Sequence, residues 1–503
     1  MIKKLAGQTA VYGLSSIVGR FLNYLLVPIY TRVFVGDIGK AEYGVSTWFY
    51  AIAAFAAVIF SYGMETAFFR FAQKENTTKE RVFSTAMISL IVTSILFASI
   101  LIVFATPIAN WNNQNGHELY FKMFAIVFAA DAITTIPFAW LRLENEGLRF
   151  VTLRLLSIGV NVGLNLLFYV VIPFLSIRGF LAPLDTEGVS VKWMIVCNVL
   201  SSVVVLPFFI KEYKMLREGF DAALWQQMLK YAYPLIFMGF AGMINETFDR
   251  YLLKMLLPPA TANIQLGIYG ANYKLAIIIT LFIQAFRFAA EPFFFAQAKN
   301  QDSRLTNARI MQYFMLVCAT IFTGVLLYLD IFKYFIGKDY HEGLAIVPIL
   351  LMANVFLGAY YNLSIWYKLT DKTQMGAVVS LIGAAITLIL NWLWIPIMGY
   401  VGSAWATLIC YFSMAAISFG LGQKYYPVPY PTRRIAAYLA LALTAYFSSE
   451  LYRENYDTTI YSRIGVNTFI FIVYFFILYK MEEKEVKPLF EQVKNRLFKK
   501  TQS

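Results

Sequence analysis

Two histidines and three cysteines in 503 residues leave little material for metal or redox chemistry. His117 and His341 stand far apart in loops, and Cys197, Cys318 and Cys410 sit singly inside apolar stretches. Neither a disulfide framework nor a metal-ligand spacing results, and the thiols read as small apolar side chains. Charge is scarce as well: 14% of residues are charged and 59% are hydrophobic. A soluble domain carries about 25% charged and about 45–50% apolar residues, so a soluble fold is excluded. No phosphate-binding glycine loop occurs, which argues against direct ATP hydrolysis. The longest outer loops run to about fifteen residues, on the measure of about 20 apolar residues per span. They carry no acid/base set, which argues against a glycan polymerase or ligase. No enzymatic activity, cofactor or metal is expected.

What fills the chain instead is apolar sequence. Fourteen segments are long enough to span a bilayer: 9–35, 43–65, 83–109, 119–141, 152–175, 191–210, 232–257, 269–296, 311–336, 344–367, 374–397, 401–422, 434–451 and 463–480. The expectation is an all-α integral membrane protein with both termini on one side. Loops on the Met1 side, with the tail after Lys480, hold about three times as many Lys and Arg as the opposite loops, which makes that side cytoplasmic. The net charge of +13 is then a topology signal, aided by attraction to anionic lipid headgroups. Spread over many short loops, it does not form a nucleic-acid surface. The start, Met1–Gly7 followed by a long span, lacks a small-residue cleavage site and reads as a retained first helix.

The chain also echoes itself at a spacing of 226 residues. Tyr43-Gly44 returns as Tyr269-Gly270, Glu65 as Glu291, Phe68-Phe69 as Phe294-Phe295, Trp140 as Trp366 and Asn165 as Asn391. Six spans per copy is an even number, so the second copy enters the membrane in the same orientation. Two six-helix lobes, 1–225 and 226–425, related by a pseudo-two-fold axis along the membrane normal, are expected. Two additional helices (426–480) and a tail (481–503) follow. Leu489, Phe490, Val493, Leu497 and Phe498 give the tail an apolar face suited to the inner headgroups.

Charges within the spans mark candidate function, since each costs at least about 2.5–3.5 kcal/mol at the bilayer centre without a partner or water. Arg20, Asn23 and Tyr24 share one face of the first span. The seventh carries Asn245, Glu246, Asp249 and Arg250 at similar depth. Glu246 and Arg250 are i,i+4 neighbours and pair in this reading, leaving Asp249 to meet Arg20 or solvent. With Arg287 of the eighth span, these residues are assigned to a hydrated central cavity. Glu65, Arg70, Asp131 and Glu291 are gate or ion-coupling candidates. Arg32 and Lys274 are read as snorkelling charges near span ends. The competing reading is a structural ion-pair cluster that locks the two halves, against which a buried pair is seldom a net stabiliser. Pro28, Pro137, Pro234, Pro292 and Pro348 lie within or at the edges of spans, where missing backbone bonds permit bending.

Gly19-Arg20-Phe-Leu-Asn-Tyr-Leu-Leu-Val-Pro-Ile-Tyr-Thr-Arg32-Val-Phe, then Glu42-Tyr43-Gly44, and later Tyr62-Gly63-Met64-Glu65-Thr66-Ala67-Phe68-Phe69-Arg70-Phe71 carry a family resemblance. The chain resembles the multidrug/oligosaccharidyl-lipid/polysaccharide (MOP) exporter superfamily, and within it the polysaccharide flippase branch. That resemblance implies an alternating-access flippase in the bacterial inner membrane. Its cargo would be an undecaprenyl-pyrophosphate-linked oligosaccharide, moved outward for surface polysaccharide biosynthesis. The implied partners are that substrate, membrane lipids, a proton or sodium ion as coupling ion, and polysaccharide polymerase machinery. A lipid II flippase and an ion-coupled multidrug exporter are the alternatives within the superfamily. The lipid II flippases' first-helix arginines align with Arg20 and Arg32. Two further family arginines fall on Leu26 and near Ala56, which argues against peptidoglycan precursor as cargo. The resemblance also gives the spans at 434–451 and 463–480 a role in holding the lipid tail.

Overall fold

Apolar runs of bilayer length leave the backbone no polar partner but itself, so helices are the only open form that satisfies every N–H and C=O. The computed structural model describes residues 18–73, 77–177, 190–297, 302–370, 372–456 and 459–499, and no strand occurs among them. The helices used below are α1 (Val27–Val33), α2 (Gly36–Ser61), α3 (Met64–Phe71), α4 (Lys79–Val103), α5 (Glu118–Leu143), α6 (Gly147–Leu166), α7 (Lys192–Val203) and α8 (Ala222–Leu256). They continue with α9 (Pro259–Gln297), α10 (Ser303–Leu327), α11 (Val347–Leu363), α12 (Thr373–Met398), α13 (Tyr400–Tyr425), α14 (Thr432–Asn455) and α15 (Ile460–Lys499).

Among the described residues, twelve helical segments are long and apolar enough to cross a membrane. They correspond to twelve of the fourteen expected spans. The first span lies partly outside the described residues. The seventh is α8, a 35-residue helix that carries Glu246, Asp249, Arg250 and Lys254 and is not among the twelve. The thirteenth, one of the two shortest by sequence, is the 24-residue α14.

The chain divides into two compact units, Met1–Ala298 with Phe335–Gly422, and Lys299–Tyr334 with Gln423–Ser503. The division follows packing and not the linear repeat, because α10 groups with the C-terminal pair.

In the first unit the most extensive helix pairing joins α2 to α9. These are the two helices that carry the Tyr-Gly echo. A Cβ on Gly44 would run into the Asn263 carbonyl, and one on Gly267 into the Lys40 carbonyl. Only glycine lets these backbones touch, the device by which membrane helices associate without a hydrophobic driving force. Tyr62 and Gly63 both have positive φ (31° and 73°), which ends α2 and re-aims α3. Tyr62 holds this uncommon geometry with its hydroxyl at 2.6 Å from Ser89 Oγ. Asp221 caps α8, accepting from the Leu224 N–H at 3.0 Å and from Arg81 Nε at 3.1 Å. That backbone N–H, with Arg81 beside it, holds the Asp221 carboxyl below the usual carboxylate range. Pro137 and Pro234 lie inside α5 and α8. Pro28 and Pro348 sit in the first turns of α1 and α11, where the missing N–H has no helical partner to lose.

The second unit packs α10, α14 and α15 together. Near one end Glu482 is 2% exposed and receives Gln312 Nε2 at 3.0 Å and the Tyr438 hydroxyl, with Arg434 Nη1 at 3.7 Å. Near the other, Asn467 Nδ2 donates to the Leu327 carbonyl at 2.6 Å, and Arg463 pairs with Asp330 at 3.1 Å. The helix α15 continues without a break into the tail to Lys499. The apolar tail face expected at Leu489, Phe490, Val493, Leu497 and Phe498 consists of side chains outside the described residues.

Candidate functional site

A cavity of about 390 Å³ lies within the first unit, between residues 23–51, α6, α7, α8 and α9. Its walls differ in kind. Asn23, Tyr30, Tyr43, Ser46, Thr47, Tyr50, Asn161 and Asn198 supply polar but uncharged groups from the first half of the chain. Every charged lining residue, Glu246, Arg250 and Lys274, comes from α8 or α9.

The charged wall is organised around Asp249, which is 4% exposed and sits behind the lining. Its Oδ2 accepts from the Tyr269 hydroxyl at 2.5 Å, and its Oδ1 from the Arg250 N–H at 2.8 Å and Arg250 Nη1 at 3.0 Å. Arg250 Nη1 also donates to the Glu246 backbone carbonyl at 2.8 Å, and the guanidinium lies 4.4 Å from the Tyr273 ring centroid. The expected Glu246–Arg250 ion pair is therefore replaced by an Asp249–Arg250 pair. Tyr269, reaching in from α9, turns Asp249 towards its neighbour. The Glu246 carboxylate and the Lys274 ammonium both line the cavity, and neither makes a side-chain hydrogen bond or ion pair among the described residues.

The neutral wall is a chain of hydrogen bonds. Tyr30 donates to Asn165 Oδ1 (2.7 Å), Asn165 Nδ2 to Asn161 Oδ1 (2.8 Å), Asn161 Nδ2 to Asn198 Oδ1 (3.2 Å) and Asn198 Nδ2 to the Tyr50 hydroxyl (2.7 Å). Asn165 is fully buried and braces the lining residues from behind. It also donates to the carbonyl four residues back, as its repeat counterpart Asn391 does to Thr387, each at 2.8 Å.

Beside the cavity, residues 31–40 are joined to residues 337–342. Gly337 N–H donates to Thr31 Oγ1 (2.9 Å), Tyr340 to the Phe34 carbonyl (2.7 Å) and Gly36 N–H to Asp339 (2.6 Å), while Lys40 pairs with Glu342 (2.8 Å). The Tyr340 ring meets cavity-lining Tyr43 at 5.7 Å.

Of the residues assigned to the cavity from sequence, Asn23, Glu246 and Arg250 line it. Tyr24 stacks instead on Phe335 at 4.4 Å. Asn245 faces away, donating to the Ser380 carbonyl at 2.9 Å and accepting from Cys410. Arg287 lies 4.1 Å above the Tyr361 ring, and Arg20 is exposed and does not line the cavity. Glu65 pairs with Arg142, not with Arg70, whose guanidinium sits 4.1 Å over the Tyr231 ring. Asp131 is not isolated: it faces Ser202 and Arg154. The side chain of Glu291 lies outside the described residues. Sequence reasoning missed Lys274, read as a snorkelling charge, and the asparagine wall. The i,i+4 pair Asn161 and Asn165 inside an apolar span was the available signal.

A family model described as "Polysaccharide biosynthesis protein" matches residues 5–297. No curated protein matches the chain. Among solved structures, the lipid II flippase MurJ in an inward closed conformation aligns over 93% of this chain and 98% of its own, with a TM-score of 0.71 and 14% identity. An inward-facing multidrug resistance MATE family transporter of the MOP superfamily aligns over 83% and 94%, with a TM-score of 0.60 and 12% identity. A MATE transporter in complex with MaD3S aligns over 86% and 96%, with a TM-score of 0.58 and 12% identity. The fold is that of these multi-pass membrane transporters.

Proposed function

This chain belongs to the polysaccharide biosynthesis protein family, and from that premise we propose that it is a flippase for an undecaprenyl-pyrophosphate-linked oligosaccharide. The cargo moves from the cytoplasmic to the outer leaflet of a bacterial inner membrane, where polymerase machinery receives it. Both termini are cytoplasmic in this assignment, which puts the contacts between 31–40 and 337–342 on the outer side as a candidate gate. The lobes 1–225 and 226–425 then carry the alternating access. The observation that carries the reading is Lys274, an ammonium without a counter-ion among the described residues, in the wall of the cavity. A pyrophosphate cannot cross hydrocarbon unaided, and Lys274 with the outer edge of Arg250 offers it charge-assisted hydrogen bonds. The polyprenyl tail remains in the bilayer, with α14 and α15 as its proposed guide.

Charge balance supports a coupling role for Glu246. Asp249 is already neutralised by Arg250 and Tyr269, whereas Glu246 is the carboxylate free to meet the substrate. An anion entering beside it is accommodated when a proton or sodium ion enters too. The multidrug reading is less well supported, because an uncompensated ammonium repels the cationic drugs such exporters would carry.

The test is surface polysaccharide in a strain that lacks this protein and is complemented with variants at equal membrane levels. Lys274→Ala is expected to reduce export at least about tenfold, the loss of one charge-assisted hydrogen bond, and Lys274→Arg to retain most of it. Full export by Lys274→Ala and Arg250→Lys would sink the reading.

A further inference from the structure

The direction of the hydrogen bonds in the neutral wall is fixed, and that fixes what the wall offers a ligand. Asparagine orientation is set by the bonds around it. Asn165 Nδ2 is anchored by the Asn161 carbonyl at 2.8 Å, and Asn198 Nδ2 by the Met194 carbonyl at 2.7 Å. A backbone carbonyl only accepts, so neither amide can be turned round. Asn161 lies between them and must present Oδ1 to Asn165 and Nδ2 to Asn198. The proton order therefore runs one way, from Tyr30 through three amides to Tyr50.

The two ends differ in consequence. The Tyr50 oxygen already accepts from Asn198, so its own proton is directed elsewhere, and Tyr50 lines the cavity. At the other end Tyr30 has given its proton to Asn165, so its free function is acceptance. A run of aligned hydrogen bonds polarises its terminal members, making Tyr50 the stronger donor and Tyr30 the stronger acceptor. The first-half lining holds no charge to compete for them.

We propose that this wall is a recognition subsite for a neutral sugar, with Tyr50 donating to a sugar oxygen and Tyr30 accepting from a sugar hydroxyl. Asn165, Asn161 and Asn198 are positioning residues that set the proton order. A sugar hydroxyl or acetamido group satisfies such a fixed pair, whereas a bare phosphate has no proton for Tyr30 when fully ionised. Phosphate capture and sugar reading thus fall on opposite walls, and cargo identity is sensed by the uncharged one. This inference rests on the flippase reading above and assigns the sugar-contacting part of the same site.

The protein reconstituted in nanodiscs is titrated with two probes, undecaprenyl pyrophosphate and the same lipid carrying one N-acetylhexosamine. The wild type is expected to bind the glycosylated lipid about tenfold more tightly, the range of one to two neutral hydrogen bonds. Tyr50→Phe, which removes one oxygen and no packing, is expected to erase most of that preference. Asn198→Leu, which removes the donor to Tyr50 and so breaks the relay at its last bond, is expected to do the same. A purely structural effect would weaken both probes equally, and that outcome overturns the subsite. Equal affinities in the wild type also overturn it, while leaving phosphate capture intact. Failure of the wild type to bind either probe sinks the flippase reading itself, and the subsite with it.

Discussion

The two walls of the cavity are built by helices that echo one another, yet they do opposite electrostatic work. At the 226-residue offset Tyr24 corresponds to Arg250, Asn23 to Asp249, Thr47 to Tyr273 and Trp48 to Lys274. Trp48 is buried among aromatic rings, 5.1 Å from Phe49, while Lys274 opens into the cavity. The frame has been kept where it carries packing, in Gly44 and Gly270, each pressed against the facing helix, and in the back-bonded Asn165 and Asn391. It differs beside the cavity, where Thr47 of one half stands against Tyr273 of the other. The charged lining groups come from one half of the chain and the uncharged ones from the other, the arrangement on which the proposed division between phosphate and sugar rests.

Removing the charge of one wall should have the largest effect. Arg250→Ala leaves the carboxylate of Asp249 buried with Tyr269 as its remaining partner, and breaking a buried pair from one side costs about 3–5 kcal/mol. A thermal melt in detergent should show it, and Asp249→Asn in the same chain should restore part of the loss. An unchanged melt would mean that the pair is not buried in the membrane. A smaller effect is expected from the neutral wall. Asn165→Ala strands the Tyr30 hydroxyl and Asn161 Oδ1, at about 1–3 kcal/mol for unsatisfied buried groups. A loss as large as that of Arg250→Ala would erase the distinction between the walls.

Much of this was legible in the sequence, because hydropathy is a property of each residue and needs no partner. Twelve expected spans recur as apolar helices, and the seventh was found from its pattern despite its charge. Partner choice was less legible. Glu246 and Arg250 have the spacing of helical neighbours, and adjacent residues do not normally face each other. The actual partner, Asp249, is turned by Tyr269, a residue of another helix. Lys274 reads in sequence as a snorkelling charge, and what the sequence does not show is that its stretch of α9 forms part of the cavity wall. Arg20 shares a helical face with Asn23 and Tyr24 by spacing, yet only Asn23 of the three lines the cavity.

The most direct measurement is the affinity of the reconstituted protein for undecaprenyl pyrophosphate, without any sugar, before and after Lys274→Ala. Lys274 makes no side-chain partner among the described residues, so this substitution should leave the thermal melt within about 0.5 kcal/mol, as surface-like changes do. A loss of affinity of about tenfold or more, lessened by high salt, is the expected result. Equal affinity of the folded variant and the wild type would contradict the assignment of the charged wall to phosphate.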